Sequence, residues 1–358
     1  MNAVAAPEAA PVSEAAPAPT VDRTFASMAS AIRLSVVRPG PTADARLDRA
    51  EQVVRAVATH CTRFEATSAL SRANLAPDAW HAVPAELAAA IDAAAQAHRA
   101  TDGLFDPRVL RTLQAWGDDG ALEFADHAPR PVVGSSPTGA VLRPAEPDTS
   151  WVGTRWEPQV VVEAGLHLVH LGGWAVDLGG IGKGLAVRWA ADALAGAGAG
   201  HLVDAGGDLA LAGAGPDGGA WKVGVEDPLG GEDPVLVLAL PRAEDAGTQA
   251  PSGPPPAMAC ATSSTRRRRW TVDGTPVHHL VDPRTARPGG RGLAAVTVVA
   301  SDPAWAEVWS KALFLSGAQA VREQAEDRGL AAAWVTADGT VGTSSALDPV
   351  VVWRCGRA

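Results

Sequence analysis

Three short strings in this 358-residue chain combine residue types that can do chemistry. The first is Asp177-Leu178-Gly179-Gly180-Ile181-Gly182-Lys183-Gly184. Glycines this close together ahead of a helix free backbone N–H groups to face a phosphate, and Lys183 adds a charge. The string is not a Walker A loop, which needs Ser or Thr after the lysine, and its spacing is wrong for GxGxxG. A tight turn before a helix explains it equally well on composition alone. Lysine is scarce, though: three residues against 27 arginines, so a lysine in such a turn draws notice.

The second string is His278-His279-Leu280-Val281-Asp282-Pro283-Arg284-Thr285. A histidine near an aspartate and an arginine can supply a base, an orienting carboxylate and an anion clamp. A strand that ends in an Asp-Pro turn is the commoner meaning of such residues. The third is Ala261-Thr262-Ser263-Ser264 followed by Arg266 to Arg269. Four arginines suggest an anion site or a solvated run, and in isolation the run is the commoner reading.

The elements that must position these strings follow from periodicity. Thr24 to Val37 is apolar and β-prone and ends at Pro39-Gly40-Pro41. Ala43 to Thr59 carries Leu47, Ala50, Val54 and Val57 on one helical face, and Pro84 opens a second helix to Arg99. Asp126 to Pro158 and Ala243 to Pro256 read as loops. Strands are expected around Ala164-Gly165, over His201 to Leu211 and over Ala220 to Glu226. A helix from about Lys183 to Ala197 follows the glycine turn. A strand (Ala294 to Ala300), a helix (Pro303 to Ser316) and a strand pair (Ala331 to Thr343) close the chain. Segregated strands and helices give an α+β fold, not a doubly wound sheet.

Composition excludes several classes. A formal charge of −10 argues against a nucleic-acid partner held by phosphate contacts. No stretch approaches the roughly 20 apolar residues that span a bilayer. Cys61, Cys260 and Cys355 have no metal-like spacing and read as reduced thiols of a cytoplasmic protein. Residues 1–22 form an Ala/Pro-rich tail without a secretory pattern and are expected to be disordered, leaving 23–358 as one domain.

In order along residues 24 to 345, the chain resembles the ApbE family of flavin transferases. Arg63-Phe64 with Ser68 to Asn74 is similar to the family's SRFrpdSelSrlN segment, and Thr101 to Pro107 to its tdGafDP. The glycine turn resembles DLGGIAKG, Asp204 to Asp208 the GGD turn, and Trp221 to Pro228 WxvgIxdP. Thr262-Ser263 matches the start of TSG, His279 to Pro288 HiiDPrTGxP, and Ala306 to Gly317 ADALATALFVLG.

The resemblance implies an α+β fold with FAD bound between two lobes. It also implies transfer of FMN from FAD to a Thr or Ser hydroxyl of an acceptor flavoprotein, with release of AMP and help from Mg²⁺. Carried over by position, His279 is the base and Asp282 its partner. Met28, Asn74, Asp106, Gly180, Lys183, Gly184, Thr262 and His279 would contact FAD, and Gly182, Glu307 and position 311 would form the metal site. Several positions depart from the pattern. Met28-Ala29-Ser30 replaces MGT, Ser264 and Ala286 replace glycines, and Arg188 stands where an aspartate is usual. At the metal site Glu307 and Lys311 replace Asp and Thr, and a protonated lysine cannot be a ligand. Mg²⁺ is therefore doubtful here, and Lys311 becomes a candidate replacement cation, paired with Glu307 at i, i+4. Two alternatives stay open: an FAD-binding homologue with weak or lost transfer, and an FAD pyrophosphatase.

Overall fold

The computed structural model describes residues 18–118, 130–131, 148–240 and 258–356. Its centre is an eight-stranded sheet whose spatial order equals chain order: Thr20–Ser27, Ser30–Pro39, Gly198–Ala205, Leu209–Gly213, Met258–Ser264, Leu293–Ala300, Ala331–Thr336 and Val341–Thr343. Every neighbouring pair is antiparallel. That fits the α+β expectation, because antiparallel neighbours need no crossover helix between them.

Alternation along the strands sends side chains to two cores. On one face Ile32, Leu34, Val36, Val203 and Ala210 pack against Leu47, Ala50 and Val54 of the helix Ala43–His60. Val187, Ala190 and Leu194 of the helix Gly182–Leu194 join them. On the other face Val37, Leu211, Cys260, Val299 and Val335 are covered by a three-stranded sheet of Trp221–Val225, Leu236–Leu240 and Val351–Arg354. The last two of these strands escaped the sequence reading; they are apolar runs too short to separate from loop by periodicity.

The helix Pro303–Ser316 lies on the helical face of the sheet, and its start is heavily specified. Asp302 caps it, accepting from Ala304 N at 2.9 Å and Trp305 N at 3.3 Å, with Pro303 in the first turn. The same carboxylate takes Arg188 Nη2 at 2.6 Å, so the arginine in place of the usual aspartate ties two helices together. Those helices cross at Gly184, where an added Cβ would stand 2.6 Å from Ala304 Cα and from Pro303 O. Only glycine fits there.

Two expectations are corrected. The first strand begins at Thr20, so Thr20 to Asp22 pair with Ser35 to Val37 and do not belong to a disordered tail. Of the loop expected over Asp126 to Pro158, most lies outside the described residues. Its final part buries Trp151 and Trp156, each 1% exposed, and is core, not surface. The 243–256 loop lies outside the described residues.

Two of the three positions that lost a glycine, Ala29 and Ala286, have left-handed backbone. Met28 and Ala29 form the two-residue turn between Ser27 and Ser30 with φ of 53° and 55°, and Ala286 has φ of 51°. A two-residue hairpin with positive φ at both positions is the type that favours Asn and Gly. Ala29 is exposed and packs its methyl on nothing that offsets this strain. Ala29→Gly is expected to stabilise the fold by about 0.5–1 kcal/mol, read as a raised urea midpoint at unchanged slope.

Candidate active site

A cleft of about 450 Å³, counting its open mouth, lies where the glycine turn, the segment Leu104–Val109, the His279 strand end and the helix Pro303–Ser316 meet. Asp177, Gly179, Gly180, Arg268, His279 and Lys311 form its polar wall, and Phe105, Leu113, Val281 and Leu315 supply apolar lining. The first two strings, with Arg268 of the third, thus converge on one place.

The glycine turn does not present the row of free amides that its spacing suggests. Gly179 N donates to its own Asp177 side chain, Ile181 N and Gly182 N to Leu178 O, and Gly184 N to Glu307 Oε2 at 2.7 Å. Gly182 and Gly184 thus spend their amides inside the protein, against the phosphate-cradle expectation for these two. Gly180 serves differently. A Cβ there would lie 2.7 Å from Lys311 Nζ and 2.9 Å from Phe105 Cε2, so its missing side chain is what lets Lys311 cross into the cleft.

Lys183 is likewise committed. Its ammonium pairs with the buried Asp208, and despite the cost of burial Asp208 and Glu307 hold its pKa above the ordinary lysine value. Glu307 is 5% exposed. Burial and the neighbouring Asp208 push its carboxyl up to about 7, against the pull of Lys183, Lys311 and the Gly184 amide. No ion pair forms between Glu307 and Lys311 at i, i+4. Glu307 turns inward to Gly184, and among the described residues no carboxylate makes an ion pair with Lys311. Burial lowers the Lys311 pKa, while Glu307 and Asp177 act through space to raise it.

His279 stands on the same polar wall. Its Nδ1 lies 3.3 Å from Arg268 O, and its backbone N donates to the same carbonyl. A carbonyl only accepts, so the proton sits on Nδ1 and Nε2 keeps its lone pair. Burial, then Arg268, Lys311 and His278, hold this imidazole well below the usual histidine pKa, so it is neutral at pH 7. His278 leaves in a different direction and meets Phe314 edge-on with ring centroids 6.2 Å apart. Asp282 does not orient the base. It takes Arg284 through Nε and Nη2, both at 2.8 Å, and shapes its own turn.

Three further residues expected to contact the ligand have polar partners inside the protein. Asn74 spends both ends of its buried amide on Val176, accepting from N at 2.8 Å and donating to O at 2.9 Å, which fixes the chain just before Asp177. The Asp106 carboxylate is gripped by the buried Arg108 at 2.7 Å, although the residue borders the cleft. Thr262 shares a 2.8 Å bond with Thr297, while Ser263 meets Ser310 of the helix Pro303–Ser316 at 2.9 Å. Successive residues face opposite sides of a strand. Thr262 therefore faces away from the helix that carries Glu307 and Lys311. Met28 packs its side chain toward Gly182, at 3.9 Å from where a Cβ would be.

The sequence reading missed a buried charge chain. Arg63 joins Asp177 at 2.6 Å to Asp118 at 3.0 Å, and Asp118 holds Arg268 at 2.7 Å. Arg268 is thus the odd member of the four-arginine run. Arg266 turns to Glu226 and the Asp227 carbonyl, and Arg267 and Arg269 are exposed. Period-2 alternation within the run was the available signal.

The residues that stand in the family's metal positions do not suit a divalent ion. One is a carboxyl pushed to about 7 and already accepting an amide proton, and the other is an ammonium. Mg²⁺ wants hard, ionised oxygens in an octahedron. Among the described residues no group of three or more His, Cys, Asp or Glu is placed to hold a metal.

The raised Glu307 carboxyl has a consequence for stability. The folded state binds this proton more tightly than the unfolded chain, so stability falls as pH rises from the ordinary carboxyl range through about 7. Glu307→Gln keeps an acceptor for Gly184 N–H and removes the titration. Its melting temperature should exceed that of the unmodified protein at about pH 8, with the difference shrinking toward about pH 5. Scanning calorimetry across that window checks it.

Comparison with known proteins matches this architecture. The chain is 28% identical over 283 residues to the FAD:protein FMN transferase of Salmonella typhimurium, covering 77% of this chain and 72% of that protein. It is 29% identical over 165 residues to the FAD:protein FMN transferase of Escherichia coli, covering 46% of this chain and 43% of that protein. The crystal structure of the ApbE protein from Thermotoga maritima superposes with a TM-score of 0.73 at 24% identity, covering 93% of this chain and 99% of that one. The ApbE family profile matches residues 28–334, from the hairpin turn to the seventh strand of the main sheet, and the chain belongs to the ApbE family.

Proposed function

We propose that this protein is an FAD:protein FMN transferase that moves FMN from FAD to a Thr or Ser hydroxyl of an acceptor protein and releases AMP. The observation that carries the reading is the pairing of a neutral His279, with Nε2 unprotonated, and the cations Arg268 and Lys311 on one cleft wall. His279 Nε2 takes the proton of the acceptor hydroxyl as its oxygen bonds to the FMN phosphorus. The bond from that phosphorus to the bridging oxygen breaks, and AMP leaves with that oxygen. Arg268 and Lys311 offset the charge that accumulates on the phosphate oxygens. Three unpaired thiols, Cys61, Cys260 and Cys355, support a reducing, cytoplasmic setting. Among the described residues no helix is long and apolar enough to cross a membrane.

One observation favours a second reading, an FAD-binding member with weak transfer: the carboxyl and ammonium at 307 and 311 supply no divalent site. Incubation of FAD with an acceptor, followed by chromatography and intact-protein mass, separates the outcomes. Covalent flavin supports transfer, unchanged FAD supports the binder, and free FMN with AMP supports a pyrophosphatase.

Two outcomes test the base. His279→Ala should lower the transfer rate by roughly 10²–10⁴-fold with little change in FAD affinity, whereas His278→Ala should leave the chemistry intact. Because the imidazole is held neutral to low pH, the acid limb of kcat/KM should fall below the ordinary histidine value of about 6.5. A limb at or above that value would remove His279 from the role.

A further inference from the structure

We infer that Lys311 is a built-in counter-charge for the phosphate groups of the ligand, so that this cleft binds FAD without a divalent cation. The inference rests on the flavin reading above and concerns what neutralises the diphosphate. Four placements carry it. Lys311 reaches into the cleft across Gly180, whose missing Cβ is filled by the lysine Nζ and Cε, at 2.7 and 2.9 Å from the Cβ position. Its ammonium lines the same wall as Arg268 and His279. The carboxylates around it are engaged elsewhere: Asp177 by Arg63, Asp208 by Lys183, Asp118 by Arg63 and Arg268, and Glu307 by the Gly184 amide. Among the described residues none of them forms an ion pair with Lys311, so the half-buried ammonium faces the cleft for an anion to complete.

The partner with the right chemistry is a phosphate ester or diphosphate, which takes two or more charge-assisted bonds from Lys311 and Arg268. A divalent ion at the same place would meet the ammonium head-on and find the Glu307 oxygen already in use. The proposal therefore separates this chain from a site in which metal and diphosphate enter together.

The test is a fluorescence titration of the full-length protein with FAD, in excess EDTA and in excess Mg²⁺, with riboflavin as a phosphate-free control. The expected result is an FAD affinity that EDTA leaves unchanged. Lys311→Met, which keeps length and helix propensity, should weaken FAD by about 10–100-fold and leave riboflavin unaffected. Retained riboflavin binding shows that this variant is folded. A second variant, Glu307→Asp with Lys311→Thr, should make FAD binding depend on Mg²⁺ and should bind Mn²⁺ by electron paramagnetic resonance, where the unmodified protein with FAD binds none. FAD binding that EDTA abolishes, or that Lys311→Met does not change, overturns the inference while leaving the flavin reading standing. No FAD binding under either condition overturns both.

Discussion

The hydrogen bond from Gly184 N–H to the buried Glu307 carboxyl, 2.7 Å long, joins the two helices on which the site is built. It forms because Gly184 lets the helix Gly182–Leu194 approach within contact of Pro303 and Ala304, a spacing any side chain would prevent. Once the helices touch there, Asp302 can cap one and hold Arg188 of the other, and Lys311, one turn beyond Glu307, is aimed over Gly180. The glycine turn is thus read better as a packing device than as a ligand cradle. The amides of Gly179, Ile181, Gly182 and Gly184 hold Asp177, Leu178 and Glu307, while Gly179 and Gly180 themselves line the cleft.

Charge is distributed around that joint with little waste. Arg63, 4% exposed at its side chain, would be costly to bury alone, and its charge is paired with Asp177 and Asp118 together. Asp118 in turn sets the direction of Arg268, whose carbonyl fixes the tautomer of His279. A single network therefore orients a cation through its side chain and the His279 imidazole through its main chain. In a site of low dielectric such an arrangement stays fixed as substrate charge changes, which is what preorganisation means in physical terms.

How much of this was legible in the sequence depends on range. The helices over Ala43–His60 and Ala85–Ala100 were read to within a residue or two, because their apolar faces repeat locally. The ordered motifs placed the glycine turn, His279, Glu307 and Lys311 in one protein of one family; the cleft is lined by the turn, His279 and Lys311, while Glu307 is buried behind it against Gly184. What the sequence could not show is which partner each polar group takes. Asn74, Asp106, Lys183 and Asp282 all carry chemistry-bearing side chains at family positions, yet each finds a partner inside the protein: Val176, Arg108, Asp208 and Arg284. Arg63, Asp118 and Arg268 lie far apart in the chain, and no periodicity links them. Lost glycines were visible as substitutions, but that Met28, Ala29 and Ala286 keep left-handed backbone is a fact of the fold alone.

On the inference that Lys311 stands in for a divalent ion, the exchange has a definite chemical cost and a definite gain. Lys311 and Arg268 together bring the formal charge of one Mg²⁺, although Asp118 already offsets the share of Arg268, so they meet part of the electrostatic demand of a diphosphate. They carry that charge on two separate arms. Neither arm can bridge two phosphate oxygens at the roughly 2.1 Å of a magnesium–oxygen bond, and neither can draw oxygens into an octahedron. Phosphoryl transfer depends on alignment of attacking and leaving oxygens as much as on charge, so the loss falls on the reacting geometry more than on affinity. The gain is permanence. A cation attached to the chain needs no free metal and is present before the ligand arrives, and its direction is set by the Gly184–Glu307 joint one helical turn away. Ligand binding and transition-state support, which a metal site couples, are separable in this cleft.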